Sequence, residues 1–339
     1  MALMLNESQK LNPKIFDNDV EKAYTRDGYG KGVVELGEKD ERIVVLCADL
    51  AESTRSHWFQ EKFPERYIEI GVAEQNLATV ASGMAVYGKI PFISSYATFS
   101  PGRNNEQIRT TISINNVPVK IMGAHSGISV GPDGATHQAL EDMALMRVQP
   151  NMTVIAPCDM EETKKAVIAS VDIPGPVYIR FGRAKTPVIT TDDSLFEIGK
   201  ANLLWSPLTD SGQASEKPQV AIISCGPLTH NALLAAKELE EEGLKVLVLN
   251  NHTIKPMDEK AVVDVAKRAG RVVTVEEHQV NGGMGSAVAE VLAKNYPVPI
   301  EFIGVKDSFG QSGKPEELIK HYGMDKDSIK KAVKRVLDR

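Results

Sequence analysis

The sequence predicts an α/β protein of two successive three-layer α/β domains, each with a mainly parallel sheet. Several short runs are almost continuously apolar, such as residues 42–48, which is typical of parallel strands covered on both faces. These runs alternate with stretches of helical periodicity, and that alternation favours parallel sheets flanked by helices. A polar, turn-rich stretch over residues 187–217 interrupts the alternation, so we expect a linker there between the two domains.

The first domain is predicted over residues 19–186, after a loose, polar N-terminal arm of residues 1–18. Helical periodicity begins near Asp19 and continues to Leu36. Asp159 is a suitable N-cap for a helix that continues to Val171. Apolar runs predict parallel strands at residues 42–48, 117–123, 152–156 and 176–181.

One stretch organises this domain, a short strand from Tyr67 that continues into an Ala-rich helix extending to Val86. A single acid, Glu74, lies in the first turn of this otherwise apolar helix. The strand that follows is β-branched and aromatic and ends at Tyr96 and Phe99. Glu74 has two interpretations. It either complements the positive end of the helix dipole, or it is a desolvated acid that shares a proton with a ring nitrogen of a bound base.

The second domain is predicted over residues 218–339. A glycine-rich turn from Glu276 to Gly285 joins its third strand to its third helix. We interpret this turn either as an anion-binding cradle or as close packing of a helix on a strand. The predicted strands are residues 220–224, 245–249, 271–276 and 300–303, and the predicted helices are residues 228–242, 258–269, 284–294 and 327–337.

Composition limits the classes of function. The chain of 339 residues has 42% hydrophobic and 25% charged residues, which suits two ordinary domains. Its net charge of −6 argues against a nucleic-acid partner. No apolar run reaches the roughly 18 residues of a membrane span, and we expect no secretory signal. Cys47, Cys158 and Cys225 are odd in number and widely spaced, so we expect a reducing compartment, the cytoplasm.

Several polar or aromatic side chains share one topological position, just past the carboxyl ends of predicted parallel strands. Ligands bind at this edge in open α/β sheets. We therefore expect one site there, built from Asp49, Ser53, Glu74, Tyr96, His125 and Arg183.

Three strings then occur in a specific order: Gly71-Val-Ala-Glu74-Gln-Asn, the block from Pro91 to Phe99, and Gly131-Pro-Asp-Gly-Ala-Thr-His137-Gln. Together they closely resemble the pyrimidine-binding half of transketolases. The resemblance extends from about residue 26 to residue 183 and continues through the second domain. It implies a thiamine-diphosphate pyrimidine-binding fold followed by a transketolase C-terminal-like fold.

The resemblance implies a thiamine diphosphate enzyme that moves a two-carbon ketol unit from a ketose phosphate to an aldose phosphate. The family's acid, which protonates the cofactor's pyrimidine ring, falls on Glu74. The aromatic residues that stack on or border the pyrimidine fall on Phe99 and Tyr96, whose alternative role is core packing. Asp49 matches an acid near the cofactor, and its alternative is a turn residue after a strand.

Substrate contacts follow from the same resemblance. His125 and His137 match family histidines beside the sugar phosphate and the reacting carbonyl, and both are counted as catalytic. Asp133 matches an acid that contacts a substrate hydroxyl. The competing interpretation makes these three residues a metal site, although their spacing fits no compact zinc pattern.

Arg26, Ser53 and Arg183 align with the family's phosphate contacts, and arginine suits a phosphate because it binds in a bidentate way. The alternative for Arg26 is an exposed surface charge. The block Ser100-Pro-Gly-Arg-Asn-Asn-Glu departs from the usual family sequence, so Arg103 is only a weak candidate.

The family's diphosphate site is missing. Family members carry Gly-Asp-Gly followed further on by Asn, whereas the nearest string here is Gly131-Pro-Asp-Gly134. We therefore expect an N-terminal transketolase subunit that binds the diphosphate and its Mg²⁺ or Ca²⁺, in an α2β2 assembly. We assign no metal ligand to this chain.

Other functions stay open. One is a component of a deoxyxylulose-phosphate synthase-like or 2-oxo acid dehydrogenase thiamine enzyme. Another is an electron-carrier or nucleotide-binding protein with two flavodoxin-like domains, although no Gly-x-Gly-x-x-Gly follows a strand in the expected unit. The last is a non-catalytic scaffold, for which Glu74→Ala would leave the activity of the complex unchanged.

Overall fold

The computed structural model describes residues 4–207 and 217–339, which form two α/β units with mainly parallel sheets, as predicted. The strands are β1 (Lys22–Tyr24), β2 (Ile43–Cys47), β3 (Tyr67–Glu69), β4 (Ile90–Tyr96), β5 (Lys120–Ala124), β6 (Thr153–Ile155), β7 (Val177–Arg180), β8 (Lys185–Pro187), β9 (Asn202–Trp205), β10 (Val220–Ser224), β11 (Val246–Asn250), β12 (Thr253–Lys255), β13 (Val272–Gln279) and β14 (Ile300–Val305). The helices are α1 (Thr25–Lys39), α2 (Ala51–Thr54), α3 (His57–Lys62), α4 (Glu74–Val86), α5 (Asn105–Gln107), α6 (Asp142–Arg147), α7 (Met160–Ser170), α8 (Thr229–Glu241), α9 (Glu259–Ala269), α10 (Met284–Asn295), α11 (Pro315–His321) and α12 (Lys326–Leu337).

The first sheet has the strand order β12-β6-β7-β5-β4-β2-β3. Strands β2 to β7 run parallel to one another. All residues of β2, β5, β6 and β7 are buried, which explains their predominantly apolar sequences. The edge strand β12 was not predicted. It belongs to the second domain in sequence but pairs antiparallel with β6, so both domains contribute to this sheet.

Helices cover both faces of the first sheet. On one face, α1 and α3 pack through Tyr29, Val33 and Phe59. On the other face, α4 packs through Leu77 and Ala81. Because α4 begins at Glu74, this packing places the first turn of the helix at the carboxyl ends of the strands.

The second sheet has the order β14-β13-β10-β11-β9, in which only β9 runs antiparallel among the described strands. Side chains of β10 alternate between the two faces. Val220 and Ile222 pack with α8 and α12, whereas Ala221 and Ile223 pack with α9 and α10. The predicted strands and helices of this domain are confirmed, with ends shifted by a few residues, and α11 is additional.

The N-terminal segment is packed, so the prediction of a loose arm is wrong for residues 4–18. Ile15 is fully buried beside α8, and the Asn6 N–H donates to the Leu204 carbonyl oxygen at 2.9 Å. The first long helix also begins later than predicted, at Thr25 rather than near Asp19. The preceding residues form β1, which pairs antiparallel with β8.

The expected linker over residues 187–217 is largely part of the folded domains where it is described. Residues 202–205 form β9, which pairs with β11. Residues 208–216 of the expected linker lie outside the described residues. Within the described ranges, none of the helices combines the length and the apolar character that crossing a lipid bilayer requires.

The glycine-rich turn between β13 and α10 packs the helix against the strand. The carboxylate of Glu276 accepts hydrogen bonds from the N–H groups of Met284 at 2.6 Å and Gly285 at 2.8 Å. A Cβ at Gly283 would lie 2.1 Å from Glu276 Oε2, so only glycine fits there. Since a carboxylate of the chain itself binds these amides, the anion-cradle interpretation is wrong and the packing interpretation is confirmed.

Candidate active site

Four neighbouring parallel strands bring the predicted polar residues to one sheet edge. Strands β2, β4, β5 and β7 are adjacent, and their carboxyl ends lead to Asp49, Tyr96, His125 and Arg183. Glu74 begins α4 on one face of the same edge. The predicted placement at the carboxyl edge follows from this parallel order.

Glu74 is a buried acid at the border of a cavity. Only 3% of its side chain is exposed, and Ser95 Oγ donates to Glu74 Oε1 at 3.4 Å. The cavity has a volume of about 680 Å³ and is lined by residues 72–76 and Arg103. The first turn of α4 therefore presents an acid to a space that a ring could enter.

Arg103 provides the counter-charge for Glu74. Its Nη1 lies 3.1 Å from Oε1 and 3.2 Å from Oε2 of that carboxylate. Its guanidinium carbon also lies 4.0 Å from the centroid of the Phe99 ring. Arg103 was only a weak candidate in the sequence, although an arginine four residues after a candidate stacking ring is a usable signal.

A row of rings begins at Phe99, beneath Arg103, and extends into the rest of the site. Tyr96 stacks on His125 with ring centroids 4.0 Å apart, and on Phe99 at 5.8 Å. His137 meets the edge of Phe99 at 5.4 Å and of Tyr96 at 6.0 Å. Tyr96, Phe99, His125 and His137 are thus brought together, as the sequence predicted for one site.

His125 is held as a neutral, buried imidazole. Burial, followed by the charges of Arg26 and Arg183, lowers the pKa of His125 to about 3. Its backbone φ of 54° lies in the left-handed region, directly after β5. Among the described residues, none forms a hydrogen bond with its Nδ1. This nitrogen is therefore a free, uncharged hydrogen-bonding atom inside the site.

A second cavity, of about 620 Å³, adjoins the ring row. Arg26 Nη1 donates to the Ser53 carbonyl oxygen at 2.9 Å. Arg183 Nη1 donates to the Val130 carbonyl oxygen at 3.1 Å, and its Nε lies 3.8 Å from Asp133 Oδ2. The predicted residues that line this cavity are Arg26, Ser53, Tyr96, His125, Asp133 and Arg183.

Sequence reasoning missed six residues that line this cavity, among them Lys22, Tyr24, Lys185 and one acid, Glu316. The antiparallel pairing of β1 with β8 places Tyr24 opposite Lys185. Lys185 Nζ lies 5.2 Å from the centroid of the Tyr24 ring, and the guanidinium carbon of Arg26 lies 4.5 Å from it. The cavity is therefore more cationic than the predicted arginines alone would make it.

Asp49 lies at the predicted sheet edge but in neither cavity lining. Its side chain is exposed, and its N–H donates to Glu69 Oε1 at 2.8 Å. Within residues 4–207 and 217–339, no three His, Cys, Asp or Glu side chains are placed to hold one metal ion. The alternative that His125, Asp133 and His137 bind a metal therefore has no support in this geometry.

Comparison with known proteins decides the family. Residues 21–188 match the pyrimidine binding domain of transketolase, and residues 212–329 match its C-terminal domain. The chain belongs to the transketolase family. Over 311 residues it is 43% identical to a protein of Methanocaldococcus jannaschii named putative transketolase C-terminal section, covering 91% of this chain and 94% of the relative.

Two further comparisons support this transketolase assignment. A 6-deoxy-6-sulfo-D-fructose transketolase subunit from a Clostridium species is 38% identical over 324 residues, which are 96% of this chain and 98% of the relative. A solved structure described as a split gene transketolase, an inactive β4 tetramer, is similar with a TM-score of 0.84 and 44% identity, covering 93% of this chain and 98% of that one. These matches exclude the flavodoxin-like alternative.

Membership of the transketolase family implies dependence on thiamine diphosphate. The residues of this chain fit the pyrimidine end of that cofactor. A buried acid, Glu74, borders a cavity, and Arg103, which also lines that cavity, covers the ring face of Phe99. A pyrimidine needs such a proton-sharing acid and such a stacking surface.

Proposed function

We propose that this chain is the C-terminal subunit of a two-chain transketolase. The complete enzyme would transfer a two-carbon ketol unit from a ketose phosphate to an aldose phosphate. One observation carries the proposal: Arg103 contacts both the buried acid Glu74 and the Phe99 ring, and the row of rings from Phe99 continues to a cavity lined by arginines. Cofactor and substrate would thus meet along one continuous surface.

The chain's own residues would orient the cofactor at one end of that surface. Thiamine diphosphate, when bound, supplies the nucleophilic carbon that takes up the two-carbon unit. Glu74 would share its proton with the ring nitrogen of the pyrimidine, and Phe99 would stack on the ring with Tyr96 beside it. Asp49 would contribute near the cofactor only in the assembled enzyme, because it is exposed here.

Substrate would occupy the other end. Arg26, Ser53 and Arg183 would bind its terminal phosphate. His125 and His137 would hydrogen-bond near the reacting carbonyl, and the low pKa of His125 would keep it neutral there. Asp133 would accept a hydrogen bond from a substrate hydroxyl. A relative named for 6-deoxy-6-sulfo-D-fructose indicates that a sulfonate is the rival terminal anion.

A partner subunit would complete the site. The sequence lacks the family's Gly-Asp-Gly string, so an N-terminal transketolase subunit would bind the diphosphate and its Mg²⁺ or Ca²⁺. A similar split-gene chain is described as an inactive β4 tetramer, which supports dependence on that partner. We propose an α2β2 complex. We place it in the cytoplasm because Cys47, Cys158 and Cys225 are buried free thiols.

The test is a ketol-transfer assay of the complex co-purified from the native cell, with and without thiamine diphosphate and Mg²⁺. Glu74→Gln should lower kcat by about a hundredfold or more, because the amide cannot share an acidic proton. Arg183→Ala should raise KM for the ketose phosphate and leave cofactor affinity unchanged. Arg42→Ala removes a similar charge from an exposed pair with Asp40 and serves as the matched control.

The proposal fails if Glu74→Gln leaves kcat unchanged, which is the result expected of a non-catalytic scaffold. It also fails if this chain alone turns over ketose phosphates, since no partner would then be required. Transfer from a sulfonated ketose in preference to the phosphate would retain the mechanism and replace the proposed substrate class.

A further inference from the structure

We propose that Glu277, which belongs to the second domain, positions the substrate loop of the first domain, defined as residues 125–137. This inference rests on the proposed function, because it concerns the placement of His125 and Asp133. It assigns the second domain a direct influence on substrate binding. Glu277 itself would touch neither substrate nor cofactor and is therefore a positioning residue.

The contact between Glu277 and the substrate loop is short and buried. Glu277 Oε1 accepts a hydrogen bond from the Ser129 N–H at 2.5 Å. The residue is 4% exposed, so no solvent replaces this bond if it is lost. Burial raises the pKa of Glu277, whereas the Ser129 N–H opposes that rise. A desolvated acceptor that holds a backbone N–H fixes the loop more strongly than an exposed one.

The loop is shaped to receive this carboxylate. Gly127 has a φ of +83°, and a Cβ at that position would lie 2.4 Å from Glu277 Oε1. The carboxylate therefore packs directly against the loop backbone, in the space that a side chain would occupy. Gly127 lies two residues after His125, so a shift at this contact is transmitted to the imidazole through little intervening chain.

The strand that carries Glu277 is itself anchored to the first sheet. The Glu277 carbonyl oxygen accepts from both Nη1 and Nη2 of Arg180, each at 3.2 Å. Arg180, at the end of β7, forms a buried ion pair with Asp142 at 2.8 Å. Backbone and side chain of Glu277 thus hold two neighbouring parts of the first domain in register.

The second domain also supports the far end of the loop. Gln138 Nε2 donates to the Ile128 carbonyl oxygen at 3.0 Å and to the Gln311 carbonyl oxygen at 3.0 Å. Gly131 lies against Pro315, at the start of α11. The second domain therefore contacts the substrate loop along much of its length. Among these contacts, Glu277 is the charged side chain that accepts a hydrogen bond from the loop backbone.

The adjacent residue provides a matched control. Glu276 is also buried, but alternation along β13 directs its carboxylate to the N–H groups of Met284 and Gly285 within the second domain. Replacing Glu276 disturbs the second domain without removing a contact to the loop. A comparison of variants at Glu276 and Glu277 therefore distinguishes general destabilisation of the second domain from loss of loop positioning.

The experiment compares variants of the chain in the reconstituted complex with its N-terminal subunit. Glu277→Leu should raise KM for the ketose phosphate about tenfold, because it leaves the Ser129 N–H unbonded. Its thiamine diphosphate affinity should stay within about twofold of wild type. Glu277→Gln keeps an acceptor oxygen and should restore KM to within about threefold. Glu276→Leu should lower the melting temperature and leave KM unchanged.

Glu277→Asp is the milder variant for use if Glu277→Leu does not fold, since it retains the charge and withdraws the acceptor by one methylene group. It should raise KM in the same direction. An unchanged KM in folded Glu277→Leu, or in Glu277→Asp where that variant replaces it, overturns the positioning role. An equal KM rise in Glu276→Leu also overturns it. Failure of the proposed function looks different, because the wild-type complex would then show no ketol transfer at all.

Discussion

Arg103 contacts the two groups of this chain that a cofactor pyrimidine would use, the Glu74 carboxylate and the Phe99 ring. Its guanidinium bonds both oxygens of Glu74 and lies over the Phe99 ring. For Glu74 to meet a ring nitrogen and for Phe99 to stack on that ring, Arg103 has to move away. We interpret the pair as a counter-ion that satisfies a buried acid until the cofactor replaces it.

Removing this competitor should therefore tighten cofactor binding. Arg103→Gln in the assembled complex should lower the Kd for thiamine diphosphate by up to about fivefold, since a half-exposed ion pair contributes at most about 1 kcal/mol. Titration calorimetry measures this Kd directly. Arg109→Gln, at an exposed arginine in the helical segment that follows the turn containing Arg103, should change nothing. A weaker Kd for Arg103→Gln would show instead that Arg103 helps to bind the cofactor.

At the scale of secondary-structure elements, Asp159 does more than the helix capping that its sequence position predicted. Its Oδ1 accepts from the Glu162 N–H at 2.8 Å, which confirms the N-cap of α7. Its Oδ2 also accepts from the N–H groups of Ile189 at 2.7 Å and Thr190 at 2.6 Å. One carboxylate therefore fastens the chain after β8 to the start of α7.

Asp159→Ala should consequently lower the free energy of unfolding more than the loss of an ordinary helix cap does. Asp325 caps α12 with a single bond to the Ser328 N–H at 3.0 Å and provides the comparison. Asp325→Ala should lower the free energy of unfolding by about 1 kcal/mol. Asp159→Ala should lower it by about 3 kcal/mol, because two further buried N–H groups lose their acceptor. Urea denaturation of both variants measures the difference, and equal losses would contradict the bridging role.

At the scale of the whole molecule, the two domains are joined by direct contacts between their secondary-structure elements. β12 of the second domain completes the first sheet, and β13 supports the substrate loop through Glu277. His252 lies at this junction, fully buried and stacked on Phe196 with ring centroids 4.4 Å apart. Burial lowers the pKa of His252 to about 3.

The buried histidine should make the folded chain sensitive to acid. Below pH 6.5 the unfolded chain binds a proton at His252 that the folded chain refuses until about pH 3, so stability falls as the pH is lowered between these values. Each such group contributes about 1.4 kcal/mol per pH unit. His252→Gln should reduce the pH slope of unfolding free energy between pH 6 and pH 4 by about that amount.

His321→Gln, at an exposed histidine, is the control and should leave the slope unchanged. Unfolding measured in urea at several pH values provides the slopes. An identical slope for His252→Gln and wild type would mean that His252 takes up its proton in the folded chain as readily as in the unfolded one.

Much of the fold was predictable because it rests on local patterns. Predominantly apolar runs predicted the buried parallel strands, and helical periodicity predicted most of the helices. Glu74 stood out because a lone acid in an apolar helix is visible without any partner. The N-terminal arm was misjudged because its apolar residues are scattered through a polar stretch, and the burial of Ile15 depends on a helix far away in sequence.

Much of the candidate site was predictable for the same reason, since residues at the ends of parallel strands converge by topology alone. Lys22 and Lys185 were missed because only the pairing of β1 with β8 brings both of them to one cavity. Arg103 was underestimated because its role depends on its contact with Glu74. That contact is determined by the conformation of the turn that contains Arg103, which has no regular sequence pattern. Asp49 is the reverse case, a suitable residue at the right edge whose side chain is exposed.

By itself, the sequence determined two parallel sheets, an acid at the start of a helix and the rings that follow it. These features need only neighbouring residues, because hydrophobic periodicity and strand ends are local properties. Only the tertiary structure decided that β12 joins the other domain's sheet, that Glu276 fills the helix N-terminus and that Glu277 supports the substrate loop. Such contacts join distant parts of the chain, and their energy exists only once the two domains have packed together.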